Sequence, residues 1–405
     1  MKEQLTGTGV IPKLQAQRGL VLHGVTAMLW FSVYTYPVIL SPYLHDLGAS
    51  LTMTGVVIGS YGLTQTLLRI PAGILSDHLR NKKIFIVLGL FLSLVSAVGL
   101  SAFQQIWLIL IFRGLAGAAV SMWVHISTLN LTYHPVEASS KAMGSINFVC
   151  NLSILAAALG GGLVAQIWGW QSAFILALPA AGIGLLLSLA THEDKPDPAA
   201  AAEQPVRLRD IFQIGRNRLL FWSSILALMS QLFNFATFQG FIPQFANLLG
   251  ATKAEIGLLS VSSLLPVAIA GLLGGSLLAR WFRLRTLIVF GFLLLGLTTC
   301  VLPLVHSLPV LFVCQFFGGM GIGFQLTLLM ALCTQTVAPN RKASAMGFFQ
   351  AVYGVGMVVG PILIGGLADA FNLETGFVVI GLLSMLTAVL TFFVLSPDIS
   401  SQRSI

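Results

Sequence analysis

Leu47-Gly48-Ala49-Ser50 returns 202 residues later as Leu249-Gly250-Ala251-Thr252, and the agreement continues outward in nearly the same register. Gly55 meets Gly257, Gly73 meets Gly275, and Ala142-Met143-Gly144 meets Ala345-Met346-Gly347. Asn147 and Phe174 then meet Gln350 and Phe377. Several matches at one offset, each at the same place relative to an apolar stretch, mark a duplicated unit. The chain therefore reads as two related halves, 1–191 and 219–405, each carrying six helices. Residues 192–218 between them (HEDKPDPAAAAEQPVRLRDIFQIGRNR) are rich in Ala, Pro and mixed charge, lack a core-forming pattern, and read as a cytoplasmic linker.

Of the 405 residues 56% are hydrophobic and 8% charged, a balance too apolar unless most side chains face lipid or one another. A bilayer-spanning helix needs about 20 apolar residues. The sequence offers such runs at 19–44, 52–76, 84–103, 106–131, 142–167, 171–191, 219–246, 254–279, 286–305, 309–335, 345–369 and 375–396. The expected fold class is all-α integral membrane, with twelve transmembrane helices in two six-helix pseudo-symmetric bundles. A transmembrane barrel would show a period-two alternation that is absent.

The formal charge of +8 could suggest nucleic acid, but its distribution does not. With the polar segment 1–18 on the cytoplasmic side, eighteen of the 21 Lys and Arg fall in cytoplasmic segments and only Lys253 falls opposite, while Arg69 and Arg113 lie inside helices. That is the positive-inside pattern. It places both termini in the cytoplasm and the chain in a bacterial inner membrane. The first apolar run is too long for a signal-peptide core and lacks a clear cleavage site. Cys150, Cys300, Cys314 and Cys333 fall in apolar segments without metal-like spacing and read as small buried hydrophobes. No metal or cofactor is expected.

After helix 2 the chain runs Gly73-Ile74-Leu75-Ser76-Asp77-His78-Leu79-Arg80-Asn81-Lys82-Lys83, which resembles motif A of the major facilitator superfamily (G-x-L-a-D-r-x-G-r-K). Here a glycine would let two helices approach, an acid would face the positive end of a neighbouring helix, and Lys82 would anchor the joint at the membrane surface. The resemblance implies that Asp77 helps hold an outward-open state by bridging the halves. Arg80 stands where the family has glycine and Asn81 where it has arginine, so the usual charge relay within the loop is altered. Ala279 replaces the acid in the second half, which makes the latch asymmetric. In helix 4, Arg113-Gly114-Leu115-Ala116-Gly117 resembles motif B. In helix 11, Gly356, Gly360, Pro361 and Gly365 form a GxxxGPxxxGG pattern that resembles the antiporter motif C, although the family carries that motif in helix 5, where this chain has Leu159-Gly160-Gly161-Gly162 without the proline. Trp168-Gly169-Trp170-Gln171-Ser172-Ala173-Phe174 resembles a superfamily signature before helix 6, with tryptophans at the interface.

Polar groups inside these helices are the candidate site. Arg113 lies roughly 10 Å inside the outer end of helix 4, where a charge costs about 2.5–3.5 kcal/mol. It must face a cavity, pair or snorkel, and the role expected of it is electrostatic: lowering a neighbour's proton affinity or holding an anionic part of the substrate. Arg69 shares a helix-2 stripe with Tyr61 and Gln65 at i, i+4, i+8, and Pro71 beyond it is expected to kink the inner end. Cavity lining is expected from Trp30 and Tyr34, Asn147 and Asn151, Gln231 and Asn234, Gln315 and Gln325, and Gln350 and Tyr353. All thirteen acidic residues lie in the N-terminal segment, at helix ends or in loops. A proton carrier is thus sought in His125 of helix 4, with Asp46, Asp77 and Asp369 as alternatives.

The resemblance spans nearly the whole chain and implies a secondary transporter working by alternating access on a small organic solute. It is closest to the bacterial drug:proton antiporter branch, with protons as the coupling partner, membrane lipid as surroundings and a monomer as the working unit. An uptake symporter or facilitator, a lipid translocase and a non-transporting sensor stay open. No HExxH, nucleophile elbow, phosphate loop or paired intramembrane carboxylate suggests an enzyme.

Overall fold

The computed structural model describes residues 10–79, 81–135, 138–193, 214–338 and 341–395, without the side chains of 10–16, 77, 140 and 343. The N-terminal basic segment, the C-terminal tail and most of the expected linker lie outside the described residues. The first half comprises α1 (Val10–Tyr34), α2 (Pro37–Asp46), α3 (Leu51–Leu79), α4 (Lys82–Ala102), α5 (Ile106–Ser121), α6 (Trp123–Thr132), α7 (Ser139–Trp168) and α8 (Gln171–Leu189). The second comprises α9 (Arg218–Ala236), α10 (Ile242–Leu248), α11 (Lys253–Gly275), α12 (Leu284–Val301), α13 (Leu308–Cys333), α14 (Lys342–Ala370) and α15 (Leu373–Val394). Among the described residues, eleven helical stretches are long and apolar enough to cross a membrane. The 29-residue α3, which carries Arg69 and runs unbroken through Pro71, lies alongside them as the twelfth.

Three of the expected helices are broken. The first, 19–44, splits between α1 and α2 because Pro37 has no N–H to continue the ladder and opens a new helix instead. Its counterpart, 219–246, passes from α9 into a π-turn over Thr237–Phe241 before α10 restarts at Ile242-Pro243. The fourth, 106–131, tightens at Met122, where the Met122 N–H bonds Ala119 O at 3.2 Å and the Ser121 hydroxyl donates to Ala118 O at 2.6 Å, competing with the ladder. Each break falls inside a stretch long and apolar enough to cross a membrane, where irregular backbone is tolerated only if protein or a cavity covers it.

The duplication is visible as repeated chemistry. Gly48 (φ 81°) and Gly250 (φ 84°) both turn the chain in the left-handed region that favours glycine. Ala49 N bonds Leu44 O and Ala251 N bonds Ala246 O, each at 3.0 Å. Ser50 then accepts from Met53 N at 3.1 Å to start α3, as Thr252 accepts from Glu255 N at 3.2 Å to start α11. Phe174 packs on Tyr43 at 5.2 Å between centroids, and Phe377 on Phe245 at 5.5 Å. A linear repeat of a few residues thus encodes the same helical hairpin twice.

The halves meet along two equivalent seams, α3 against α14 and α7 against α11. Backbones touch there because glycines remove the side chains. A Cβ on Gly55 would sit 2.1 Å from Pro361 O, and one on Gly257 would sit 2.8 Å from Ala158 O, the position equivalent to Pro361. Gly365 lies against Leu51 in the same way. At the end of each seam a side chain caps the other half's helix. Asp369 accepts from Leu51 N at 3.0 Å and Thr52 N at 2.8 Å, and Gln166 accepts from Lys253 N at 3.0 Å. Lys253 also lies over the Trp170 ring at 4.3 Å, and Trp170 donates to Asp46 at 2.8 Å. The end carrying Gly48 and Gly250 is closed.

The opposite end is parted. A Cβ on Gly73, Gly275, Gly144 or Gly347, the four duplicated glycines towards that end, would meet nothing within 4 Å. The close helix approach expected at Gly73 is therefore not made in this conformation. Asn81 N-caps α4 by accepting from Ile84 N at 3.1 Å, and Lys82 begins that helix half-buried. Arg80 and the Asp77 side chain lie outside the described residues.

Candidate functional site

Where the two seams diverge, the helix breaks meet. Tyr34, Pro37 and Val38 from the first break face Asn234, Phe238 and Gln239 from the second, across Ala158 of α7 and Ser260 and Ser263 of α11. The recess they enclose has about 30 Å³ of water-sized space, room for one or two waters. The recess lies between the two halves, beside the seams that are closed by the end caps. Asn151 and Asn147 are exposed on α7, two and three turns from Ala158 on the same face. The Asn151 amide donates to Asn147 O at 2.9 Å. On α9, Asn234 donates to Gln231 Oε1 at 3.0 Å, fixing both amides beside the π-turn.

Arg113 is enclosed, only 4% exposed, and does not snorkel. Its guanidinium carbon lies 4.3 Å from the Tyr61 ring centroid and 5.2 Å from that of Tyr36, and Nη1 donates to the Tyr36 hydroxyl at 3.1 Å. Cation–π attraction strengthens when desolvated, so aromatic faces do here what a carboxylate does elsewhere. Tyr61 is stacked on Phe235 of the second half at 6.2 Å, with Tyr34 as its neighbour. Trp30 packs on Tyr34 and on Trp123 of α6. Gly117 admits this arrangement, since a Cβ there would fall 2.1 Å from Tyr61 O.

Two turns further along α3, Arg69 crosses between the halves. Its Nη1 donates to Gln350 Oε1 at 2.9 Å and to the Tyr353 hydroxyl at 3.2 Å, both on α14. Three candidate residues from two distant places in the sequence thus form one cluster. Gln65, 7% exposed, lies on α3 one turn from Tyr61 and one turn from Arg69, its Oε1 without a hydrogen bond. Beyond Arg69 the α3–α14 seam opens into a wide groove of about 720 Å³ whose lining includes Leu67, Ile70, Pro71, Ile74, Leu75 and Ala351.

Other candidates lie elsewhere. Gln325 is fully buried beside Gly291 of α12, within the second half, and neither of its amide atoms is hydrogen-bonded. It belongs to helix packing and not to the cavity. Gln315 is buried on α13 at 3% exposure. His125 is stacked on Phe85 at 4.8 Å, with Nε2 3.3 Å from Ala72 O, which seats it in the contact of α6 with α3 and α4. Gly356 and Gly360 serve the packing of α14 on α9, where Cβ atoms would lie 2.1 Å from Leu228 O and Leu232 O. Sequence reasoning missed Tyr36, Phe235, Gln239, Ser260 and Ser263. The run Ser260-Val261-Ser262-Ser263 in an apolar helix and the Tyr36-Pro37 step were the available signals.

Comparison with known proteins decides the family. The model of the Major Facilitator Superfamily matches residues 22–250 and, in a second overlapping pass, 225–404. The chain belongs to the Major Facilitator Superfamily. Its two matches fall one on each half. An uncharacterized MFS-type transporter of Methanocaldococcus jannaschii is 23% identical over 386 residues, covering 90% of this chain and 96% of the relative. A probable sugar efflux transporter of Pasteurella multocida is 22% identical, covering 80% of this chain and 79% of the relative. A bacterial homologue of the human lysosomal transporter Spinster, solved in an inward-facing and occupied conformation, superposes with a TM-score of 0.77 at 15% identity, over 94% of this chain and 96% of that one. The chain is a multi-pass membrane transporter of a superfamily of carriers, not an enzyme.

Proposed function

We propose that this MFS transporter moves a small organic solute by alternating access and exports it in exchange for protons, as in the drug:proton antiporter branch it resembles. The observation that carries the reading is the pair of glycine seams, closed by side-chain caps at one end and parted at the other around a cleft with polar and charged walls. With the basic segments in the cytoplasm of a bacterial cell, the parted end faces inward and the structure is inward-open. The name of the Pasteurella relative supports the outward direction of transport. The working unit is a monomer, since one chain encloses the whole cleft.

The test is solute-driven pH change inside proteoliposomes across sugars, amphipathic cations, organic acids and metabolites, comparing the wild type with Arg113→Ala. Internal acidification on solute efflux, lost in the variant, supports antiport and a coupling role for Arg113. Labelled solute crossing with no pH change means facilitated diffusion and removes Arg113 from coupling. The lateral groove between α3 and α14 favours a second reading, in which the solute is amphipathic or a lipid and enters through that apolar opening.

A further inference from the structure

We infer that the transported solute carries an anionic group, a carboxylate or a phosphate, and that Arg69 receives it at the junction of the two halves. The inference rests on the transporter reading and concerns the substrate class of the same cleft.

Arg113 and Arg69 both lie inside the helices of the first half, near the second. Arg113 is covered by Tyr36 and Tyr61, and Arg69 is held only by the neutral oxygens of Gln350 and Tyr353. Among the described residues neither guanidinium meets an acid. A positive charge kept inside a membrane-spanning helix without a counter-ion is a functional-site hypothesis by default.

The geometry of Arg69 fits that role better than the geometry of Arg113. Arg113 is shut in at 4% exposure, whereas Arg69 is only half-buried. Both hydrogen bonds of Arg69 leave through Nη1 and its Nε has no partner, so a planar fork is oriented by one corner while another stays unengaged. A fork fixed in this way is suited to carboxylate or phosphate oxygens. Arg113 adds positive potential from behind Tyr61, a residue close enough to sense both charges. Because Gln350 and Tyr353 belong to the second half, an anion on Arg69 would sit across the seam and couple occupancy to the relative position of the halves.

The full chain in phosphatidylcholine nanodiscs is tested by thermal unfolding against adipate and phenyl phosphate, their neutral counterparts adipamide and phenol, and tetraphenylphosphonium. The anions are expected to raise the midpoint and the neutral and cationic probes to leave it unmoved. Arg69→Gln is expected to weaken the anion effect roughly 10–100-fold, the loss of a charge-assisted hydrogen-bonding group, and Arg69→Lys to restore part of it. Absence of any anion effect, equal stabilisation by the neutral probes, or an unchanged half-maximal concentration in Arg69→Gln overturns the proposal. Nanodiscs containing phosphatidylglycerol separate the sources: if that lipid raises the midpoint through Arg69 and soluble anions lose their effect, the anionic group is a lipid headgroup. Counterflow in proteoliposomes keeps the two readings apart. Transport of a neutral sugar without anion binding retains the carrier and removes the anion site, and Arg69-dependent anion binding without counterflow of any probe does the reverse.

Discussion

A guanidinium enclosed to 4% exposure loses its hydration, and around Arg113 two tyrosines replace it unequally. Tyr61 supplies a ring face and Tyr36 chiefly a hydroxyl. Tyr61→Leu should therefore destabilise the protein by about 2 kcal/mol or more, as a desolvated cation–π contact is lost. Tyr36→Phe should cost about 1 kcal/mol, the worth of one hydrogen bond. Adding Arg113→Met to Tyr61→Leu should recover most of the loss, because a buried site emptied of charge no longer needs compensation. Reversible unfolding in mixed micelles measures all three, and a Tyr61→Leu effect no larger than that of Tyr36→Phe would sink the account.

At the scale of helices the seams are controlled by what is absent. Gly55→Val should drive a side chain into Pro361 O and lift α3 from α14, disfavouring the closed end by about 1–3 kcal/mol, the usual range for overpacking. Gly73→Ala, facing open space, should leave this conformation unchanged. Spin-label distances across each end of the cleft report the two populations, and equal behaviour of the two variants would contradict the assignment of closed and parted ends.

Helix number, order and duplication were legible in the sequence because they reside in apolar run length and in local caps such as Gly48 and Thr252. Arg69, Gln350 and Tyr353 were legible as polar residues in apolar helices, although only folding brings them within bonding distance. The breaks at Pro37 and Pro243 were not, since proline is tolerated within membrane helices as well as between them. Gln325 was misjudged because α13 is apolar on every side, so no stripe distinguishes its cavity face from its packing face. Tyr36 was overlooked as the Arg113 partner because a contact between separate helices has no sequence spacing.

For the whole molecule, the two seam caps are equivalent in position and different in charge. Asp369 meets the N-terminus of α3 with two hydrogen bonds and a favourable charge–dipole interaction, whereas Gln166 offers α11 one neutral acceptor. Asp369→Ala should weaken the closed end by about 1–2 kcal/mol and Gln166→Ala by about 0.5–1 kcal/mol, within the range of helix N-caps. The same spin-label distances at the closed end test this ordering, and a larger effect at Gln166 would reverse it.

Because the seams are backbone against backbone, they behave as plain bearings. If the halves rock over Gly55, Gly257 and Gly365, few side-chain rotamers need to turn at these points, and the Arg69 bonds to Gln350 and Tyr353 are what must give along the α3–α14 seam. The tempo of such a motion would be set where side chains bridge the halves, at the end caps and at Arg69, and the glycine contacts between them would carry it.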